Sequence, residues 1–286
     1  MWIGNEATKM RDIHFSAGLL PGRTLVSIEG PDASHFLHNL VTADVEGLKP
    51  GEATYAALLS PQGKMLFDFF ILRRDKSDLI DCAASQLAEM VKRLGFYKLR
   101  AKVGISSLDK AVGVSLQEPE AEIRFRDPRS AGMGWRFVTE PGSMPASADY
   151  DAARISLGLA DSDADLGSGE LFPHEANLDQ LGGVSFTKGC YVGQEVVSRM
   201  EHRGTARSRI LPVEISGPAP AKGTEIRAGD KLIGSMLSSS GTRGLALLRL
   251  DRLAEATGPL LTEGVSLDVL KPRWARYDVP GSKDIA

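Results

Sequence analysis

A short turn between two apolar runs restricts the fold of this chain more than any other feature of its sequence. Residues 53–59 (ATYAALL) and 65–73 (MLFDFFILR) both read as strands, and the turn SPQGK separates them. Two such runs on either side of a Pro- and Gly-containing turn predict an antiparallel hairpin. A doubly wound parallel sheet would instead place a helix between its strands. The hairpin therefore favours a fold of the α+β class.

Helix and strand patterns alternate irregularly along the rest of the first 205 residues. Apolar residues at helical spacing predict one helix within 30–45, a second over 85–98 with Ser85 as its N-cap, and a short third over 149–159. Further strands are predicted at 24–30, 78–84, 102–108, 110–116 and 135–140. We expect antiparallel sheets that carry helices on one face.

The pattern changes after residue 205. Short strand candidates such as RILPVEI, RGLALLRL and VSLDVLK follow one another, with Gly- and Pro-containing turns between them. Closely spaced short strands of this kind predict a small all-β barrel or sandwich. The sequence thus divides into an α+β region, residues 1–205, and a C-terminal β-barrel, residues 206–286.

The composition argues against several functional classes. A formal net charge of −3 excludes a strongly basic nucleic-acid binder. No run reaches the roughly 18 apolar residues that span a bilayer, and the N-terminal MWIGNEATKM lacks the apolar core of a secretory signal. Two cysteines, Cys82 and Cys190, fit free thiols in a reducing compartment. We therefore expect a cytoplasmic protein with neither a nucleic-acid nor a membrane partner.

The stretch KGCYVGQE, residues 188–195, concentrates reactive residue types. Gly189 and Gly193 allow a tight loop around Cys190, and QEVVSRMEHRG then reads as a helix that Gly204 could end. The helix N-terminus and the nearby Lys188 both favour a thiolate over a thiol. This pattern indicates a reactive or metal-binding cysteine. A buried structural cysteine is an equally open interpretation, because free cysteine is among the most buried residue types.

The other polar residues give weaker signals. Cys82 lies in the apolar strand DLIDCAA, which favours a core role. The five histidines have no metal-ligand spacing, and no P-loop, dinucleotide-binding motif or nucleophile elbow is present. A basic cluster could hold an anionic ligand or an acidic partner, or it could be a solvated helix face that pairs with its own acids. Its members are Lys188, Arg199, His202, Arg203, Arg207 and Arg209.

The stretch KGCYVGQEVVSR resembles the signature of the YgfZ family, which is related to the glycine-cleavage aminomethyltransferases. The likeness continues in FPHEANLDQLGGVSFT, HFLHNLVTADV, SPQGKML and FYKLRAKV, so that it covers most of the chain, and it is nearest to the branch that contains the mitochondrial iron–sulfur assembly homologues. It implies two intertwined ferredoxin-like α+β lobes and a C-terminal β-barrel around a central channel, the folate-binding cavity of the superfamily. The motif residues in register with the family are Lys188, Gly189, Cys190, Tyr191, Gly193, Gln194, Glu195 and Arg199.

The resemblance also implies a function. It points to an accessory factor, rather than an enzyme, that assembles, delivers or repairs [4Fe–4S] clusters in client enzymes. Such clusters usually have four protein ligands, so Cys190 would be a transient metal ligand and an A-type carrier protein would supply the others. Lys188 and the helix N-terminus would stabilise the thiolate, while Glu195 and Arg199 would keep the loop in shape.

The alternative function is that of a tetrahydrofolate-dependent one-carbon transferase. Its cavity would be lined by Asn39, Tyr55, Lys64 and Asp68. Three substitutions relative to the family patterns speak against it. Phe67 precedes Asp68 where the aminomethyltransferases have a paired acid, Ser156 stands in place of their pterin-reading glutamate, and Arg23 replaces a tryptophan of some YgfZ members. A hydroxyl cannot replace a carboxylate's paired hydrogen bonds to a pterin.

Overall fold

The computed structural model describes residues 13–204 and 206–284, which form two α+β lobes and a β-barrel. The first elements in chain order are β1 (Gly18–Leu19), β2 (Arg23–Glu29), α1 (Ala33–His38), β3 (Ala53–Leu59), β4 (Met65–Arg73), β5 (Ser77–Ala83), α2 (Leu87–Lys98), β6 (Gly104–Leu108), β7 (Ala111–Ser115), β8 (Arg124–Arg126), β9 (Trp135–Thr139) and α3 (Tyr150–Ser156). They are followed by α4 (Gln194–Arg203), β10 (Ser208–Ile215), β11 (Glu225–Ala228), β12 (Lys231–Ser240), β13 (Arg243–Arg249), α5 (Leu250–Ala254), β14 (Leu260–Thr262), β15 (Val265–Lys271) and β16 (Lys283–Asp284).

The first lobe is an antiparallel five-stranded sheet in the order β3-β4-β5-β2-β6. The predicted hairpin is its β3–β4 pair, which opposes Ala57 to Asp68 and Tyr55 to Phe70. Because side chains alternate across a strand, Tyr55, Asp68 and Phe70 share the face toward the centre of the protein. The opposite face, with Phe69 and Ile71, belongs to the core that includes residues of α1 and α2. Both faces of this sheet are therefore buried.

The second lobe is a smaller antiparallel sheet in the order β1-β7-β9-β8. Val114 of β7 joins Tyr150 and Ala153 of α3 in one hydrophobic cluster. The long segment between α3 and α4, residues 157–193, has no regular secondary structure. The C-terminal strands β10-β13-β12-β11-β14-β15 close through a β10–β15 pairing into a six-stranded barrel, and β16 adds parallel to β15. The predicted α+β architecture with a C-terminal barrel is confirmed.

One local prediction is wrong. Ser85 does not cap the second helix, because it lies in a single 3₁₀ turn, Ala84–Gln86, and α2 begins only at Leu87. Its hydroxyl donates instead to the Asp163 carboxylate at 2.5 Å. Within residues 13–204 and 206–284, no helix is both long and apolar enough to span a bilayer.

Candidate functional site

The motif loop, residues 188–193, presents one thiol to solvent. Cys190 is exposed, whereas Tyr191 beside it is 7% exposed and belongs to the hydrophobic cluster that also contains Tyr55 and the barrel residue Ile210. Burial raises the pKa of Tyr191 to about 12, so its ring is a neutral anchor. The loop therefore has one inward side chain that fixes it and one outward side chain that can react.

The two glycines of the loop have different roles. Gly193 has φ +79°, and a Cβ built on it would lie 2.6 Å from the Ser60 carbonyl oxygen. A Cβ on Gly63 would in turn lie 2.9 Å from Cβ of Val196 on α4. The loop and the turn of the β3–β4 hairpin thus touch through glycines. Gly189 has neither a positive φ nor a heavy atom within 4 Å of an added Cβ, so only one of the two predicted glycine constraints is present.

Lys188 ties the motif loop to the end of α1. Its ammonium donates to the carbonyl oxygens of Val41 at 2.7 Å and Ala43 at 3.0 Å, and also to that of His38. Burial lowers the pKa of Lys188 to about 8, although Asp44 and Glu46 oppose the shift. The Lys188 ammonium is thus held by the backbone that follows α1, which makes it a clamp for the loop.

The helix after the loop forms where the sequence predicts it. α4 begins at Gln194, and Gly204 ends it in the left-handed conformation, with φ +56°. Glu195 and Arg199 pair at 2.8 Å on its exposed surface. Because exposed ion pairs contribute little free energy, this pair adds only modestly to the stability of the helix.

The second cysteine, Cys82, is buried and should be much less reactive than Cys190. Cys82 on β5 is 1% exposed, and burial raises the pKa of its thiol to about 12. It packs in the core between the first sheet and its helices. The predicted core role of Cys82 is confirmed, and Cys190 is the cysteine that reagents can reach.

A cavity of about 580 Å³ lies between the two lobes and next to the barrel. Polar lining residues come from both sheets: Arg23 and Asp68 from the first, and Arg136 from the second. The guanidinium groups of Arg23, Arg129 and Arg136 surround the Phe70 ring, at 5.6, 4.7 and 4.2 Å from its centroid. This cavity is the central channel that the fold predicts.

Buried carboxylates neutralise these cations. Asp81 accepts from Nε of Arg23 and from Nε of Arg136, each at 2.7 Å, and Asp127 accepts from Arg129 at 2.8 Å. The guanidinium of Arg129 lowers the pKa of Asp127 against the effect of burial. Sequence reasoning missed Arg129 and Arg136. A basic residue inside the apolar strand WRFVTE is the signal that could have revealed a buried ion pair.

One of the four residues predicted to bind folate, Asp68, lines the cavity, and a second, Tyr55, contacts Asp68 without lining the cavity itself. The Tyr55 hydroxyl donates to the Asp68 carboxylate at 2.9 Å, and burial raises the pKa of that carboxyl. Asn39 is exposed and lies 2.9 Å from the His35 ring nitrogen, while Lys64 donates to the Glu170 carbonyl at 2.7 Å. Asn39, Tyr55 and Lys64 therefore do not line the cavity, contrary to the prediction.

The basic cluster divides into paired and unpaired members. Arg209 is buried and holds Asp179 through two contacts, at 2.5 and 3.0 Å, and Arg199 pairs with Glu195. Across residues 13–204 and 206–284, Arg203 and Arg207 form no ion pair. The cluster is therefore partly a self-paired helix face.

A group of potential metal ligands also occurs next to Arg209. One ligand atom from each of His174, Asp179 and Glu201 lies within 4.8 Å of the others, and His174 Nε2 is 3.1 Å from Glu201. The sequence spacing did not indicate this group. The guanidinium of Arg209 pairs with Asp179, while Nδ1 of His174 and Nε of Arg209 are buried without a hydrogen-bond partner.

Comparison with known proteins identifies the family to which this chain belongs. Residues 8–123 match the GCVT N-terminal domain, and residues 207–277 match the C-terminal beta-barrel domain of CAF17. The human protein named iron-sulfur cluster assembly factor IBA57, mitochondrial, is 34% identical over 301 residues, which cover 89% of this chain and 84% of the human one. The chain belongs to the CAF17/IBA57 family.

Other members of the family give the same result. The mouse IBA57 protein is 34% identical over 303 residues, covering 89% of this chain and 84% of its own. A homologue from Pyricularia oryzae is 32% identical over 287 residues, with coverages of 84% and 73%. The resemblance to the YgfZ family is thereby confirmed at the level of the CAF17/IBA57 branch.

A solved structure confirms the fold. The glycine cleavage system aminomethyltransferase T from Bartonella henselae superposes with a TM-score of 0.75, covering 94% of this chain and 88% of that one. Its identity to this chain is only 14%, so the likeness concerns the fold alone. The CAF17/IBA57 family thus shares the aminomethyltransferase fold, which the sequence analysis predicted.

The prediction of a cytoplasmic protein is contradicted. The human, mouse and fungal relatives are all named as mitochondrial proteins, which points to mitochondria. The prediction rested on two free thiols, which indicate a reducing compartment, and on the lack of an apolar secretory core in the first residues. Mitochondrial transit peptides are amphipathic and rich in arginine and serine, so that criterion does not detect them.

The cavity does not fit tetrahydrofolate as a pterin-reading site. A pterin edge is recognised by a carboxylate that accepts two parallel hydrogen bonds. Ser156, at the position of the predicted reader, does not line the cavity, and Asp68 already accepts from Tyr55. Arg23, at the start of β2, lines the cavity and donates its hydrogen bonds to Asp81 and Ser162.

Proposed function

We propose that this protein acts in the assembly, delivery or repair of [4Fe–4S] clusters, and that Cys190 supplies one thiolate ligand to the cluster during transfer. The names of the IBA57 relatives support the general role, because each is called an iron-sulfur cluster assembly factor. The cluster is the cargo of this reaction.

The observation that carries the proposal is the contrast around Cys190. Its thiol is exposed, while Tyr191, Gly193 and Lys188 fix the loop that bears it. A ligand that takes over a cluster must be reachable and must also stay in place, since every immobilised group costs conformational entropy at the moment of binding. The motif loop combines both properties.

The number of ligands requires a partner. A [4Fe–4S] cluster usually has four protein ligands, and Cys190 is the single exposed cysteine of this chain. An A-type carrier protein that brings the cluster would keep the remaining ligands, and Cys190 would displace one of them as a thiolate. The apoprotein of a client enzyme would then receive the cluster from this shared complex.

The test uses purified full-length protein and a cluster-loaded A-type carrier. Absorption and electron paramagnetic resonance spectra should show a shared cluster with the wild type and with Cys82→Ala, but not with Cys190→Ser. In cells lacking the gene, the wild type should restore a [4Fe–4S] enzyme under oxidative stress, whereas a folded Cys190→Ala variant should not. Equal rescue by both would show that the thiol is dispensable and would overturn the proposal.

A further inference from the structure

The C-terminal end of α2 exposes two large apolar side chains. Phe96 is 66% exposed and Leu99 is 89% exposed, the highest values among the large hydrophobic residues in the part of the chain that the structure describes. Phe96 lies in the last turn of α2, and Leu99 is the residue that directly follows the helix. We call this pair, Phe96 and Leu99, the apolar tip.

The apolar tip is not a misplaced part of the core. Met90 and Leu94 face inward and are fully buried, and a helix advances about 100° per residue, which puts residue 96 about 200° away from residue 94. Phe96 therefore lies on the face of α2 opposite the buried residues and points to solvent. Single exposed hydrophobic residues are common, so the case for a contact surface rests on two such large residues at one end of the same helix and on the observations that follow.

The backbone at Leu99 gives a second observation. Leu99 has φ 42° and ψ −107°, which are close to the angles of Gly134, φ 62° and ψ −123°. This region corresponds to the first central position of a type II′ turn, which favours glycine because a Cβ is strained there. Leu99 is thus a large apolar side chain that is exposed to solvent and has a backbone conformation that favours glycine. Strained, exposed residues of this kind occur at ligand clamps and binding surfaces.

Three cations without ion pairs lie next to the tip in the sequence. The side chains of Lys98, Arg100 and Lys102 form no ion pair within residues 13–204 and 206–284. Among the acids near these cations, Asp109 is exposed and forms no ion pair in the described part of the chain, whereas Glu89 and Asp32 are engaged. Glu89 contacts Lys92 and Arg93, at 3.8 and 3.6 Å, and Asp32 accepts from the Lys102 backbone at 2.7 Å. The segment is thus locally positive in a chain whose net charge is −3. We call Lys98, Arg100 and Lys102 the basic collar.

We propose that the apolar tip and its basic collar are a docking surface for an acidic face of the cluster-carrying partner, with Leu99 and Phe96 entering an apolar pocket on that partner. This inference rests on the proposed function for the identity of the partner. Aromatic and basic residues around an apolar centre are the usual composition of a protein interface. An acidic rim on the partner would complement Lys98, Arg100 and Lys102 and would speed the encounter.

The surroundings favour a protein over a lipid surface. Lipid-binding basic segments usually carry four to eight clustered cations, and an amphipathic membrane helix buries a whole apolar face. Here α2 buries its apolar face in its own lobe, and only the two tip residues remain. Val192 of the motif loop packs against the same hydrophobic core as Tyr97, so the tip and the loop that carries Cys190 are anchored on one lobe.

The test compares Leu99→Gly/Phe96→Ser with Leu261→Ser, which removes an exposed leucine of the barrel strand β14. The probe is the purified apo form of the A-type carrier, with the dissociation constant measured at low and high salt. We expect the tip variant to bind at least about tenfold more weakly, and the Leu261 variant to bind like the wild type. Leu99→Gly alone should keep or raise the melting temperature, since glycine relieves the strain.

The outcomes separate the two proposals. If the carrier binds the wild type and the tip variant equally, the docking surface is wrong and the role of Cys190 stands. If the tip variant loses the carrier while Cys190→Ser still transfers clusters, the docking surface stands and the ligand proposal fails. A third outcome is that the tip variant binds the carrier like the wild type but no longer binds vesicles of anionic phospholipid. The surface would then be a membrane-binding one, and the inference would be overturned. Failure of the wild type to bind the carrier would overturn both.

Discussion

Arg136 of the second lobe and Asp81 of the first are joined by a hydrogen-bonded ion pair in the centre of the protein. Nε of Arg136 lies 2.7 Å from Oδ2 of Asp81, and the two side chains are 1% and 2% exposed. Because Arg136 is on β9 and Asp81 on β5, the pair connects two sheets that share no backbone hydrogen bond. It thereby helps to fix the width of the central cavity.

Removing one member of this pair should destabilise the protein strongly. Arg136→Met leaves the Asp81 carboxylate buried with Arg23 as its remaining cation, and breaking a buried pair typically costs about 3–5 kcal/mol. We expect a loss of about 3 kcal/mol in the free energy of unfolding, measured by urea denaturation. The matched control is Arg227→Met, which breaks an exposed pair with Glu225 and should cost about 0.5 kcal/mol. Equal effects of the two substitutions would contradict the role assigned to the central pair.

Alanine should be tolerated at one glycine of the motif loop and not at the other. Gly193→Ala introduces a Cβ at 2.6 Å from the Ser60 carbonyl oxygen in a left-handed backbone, and such strain costs about 2 kcal/mol or more. Gly189→Ala meets no atom within 4 Å and should leave stability unchanged. Thermal unfolding of both variants measures the difference. A neutral Gly193→Ala would show that the loop does not rest on the hairpin turn as described.

The two thiols should react at very different rates. Cys190 is exposed, whereas Cys82 is buried and the pKa of its thiol is raised to about 12. Because the thiolate is the nucleophile, iodoacetamide at neutral pH should modify one thiol per native chain and two after denaturation. Mass spectrometry of the digested protein would identify the modified residue. Modification of Cys82 in the folded protein would refute this assignment.

Lys188 should make stability depend on pH in the alkaline range. Its pKa is lowered from 10.5 to about 8 in the folded protein, so between these values the unfolded chain binds more protons than the folded one. Stability from this group is therefore fully present above pH 10.5 and is lost as the pH falls through about 8. The free energy of unfolding of the wild type, relative to that of Lys188→Met, should rise between pH 8 and pH 10.5. A difference that stays constant or falls over this range would contradict the direction of the shift.

Local patterns were sufficient for the elements and for the motif. The SPQGK turn predicted the β3–β4 hairpin, and the apolar spacing after the motif predicted α4 with its end at Gly204. Both depend on interactions between residues close in the chain, which the sequence displays directly. The prediction failed at Ser85, because its hydroxyl has a more distant partner in Asp163.

The sequence by itself determined the α+β class, the C-terminal barrel, the family and the identity of the candidate thiol. Only the tertiary structure decided three further points. These are which glycine of the motif loop has no room for a side chain, which carbonyl groups the Lys188 ammonium binds, and which residues line the cavity. Arg23, Arg136 and Asp81 are 55 or more positions apart along the chain, and Asn39 and Lys64 lie outside the cavity that Asp68 lines. Burial and long-range ion pairing depend on the packing of whole lobes against each other, and no local pattern in a single sequence records that packing.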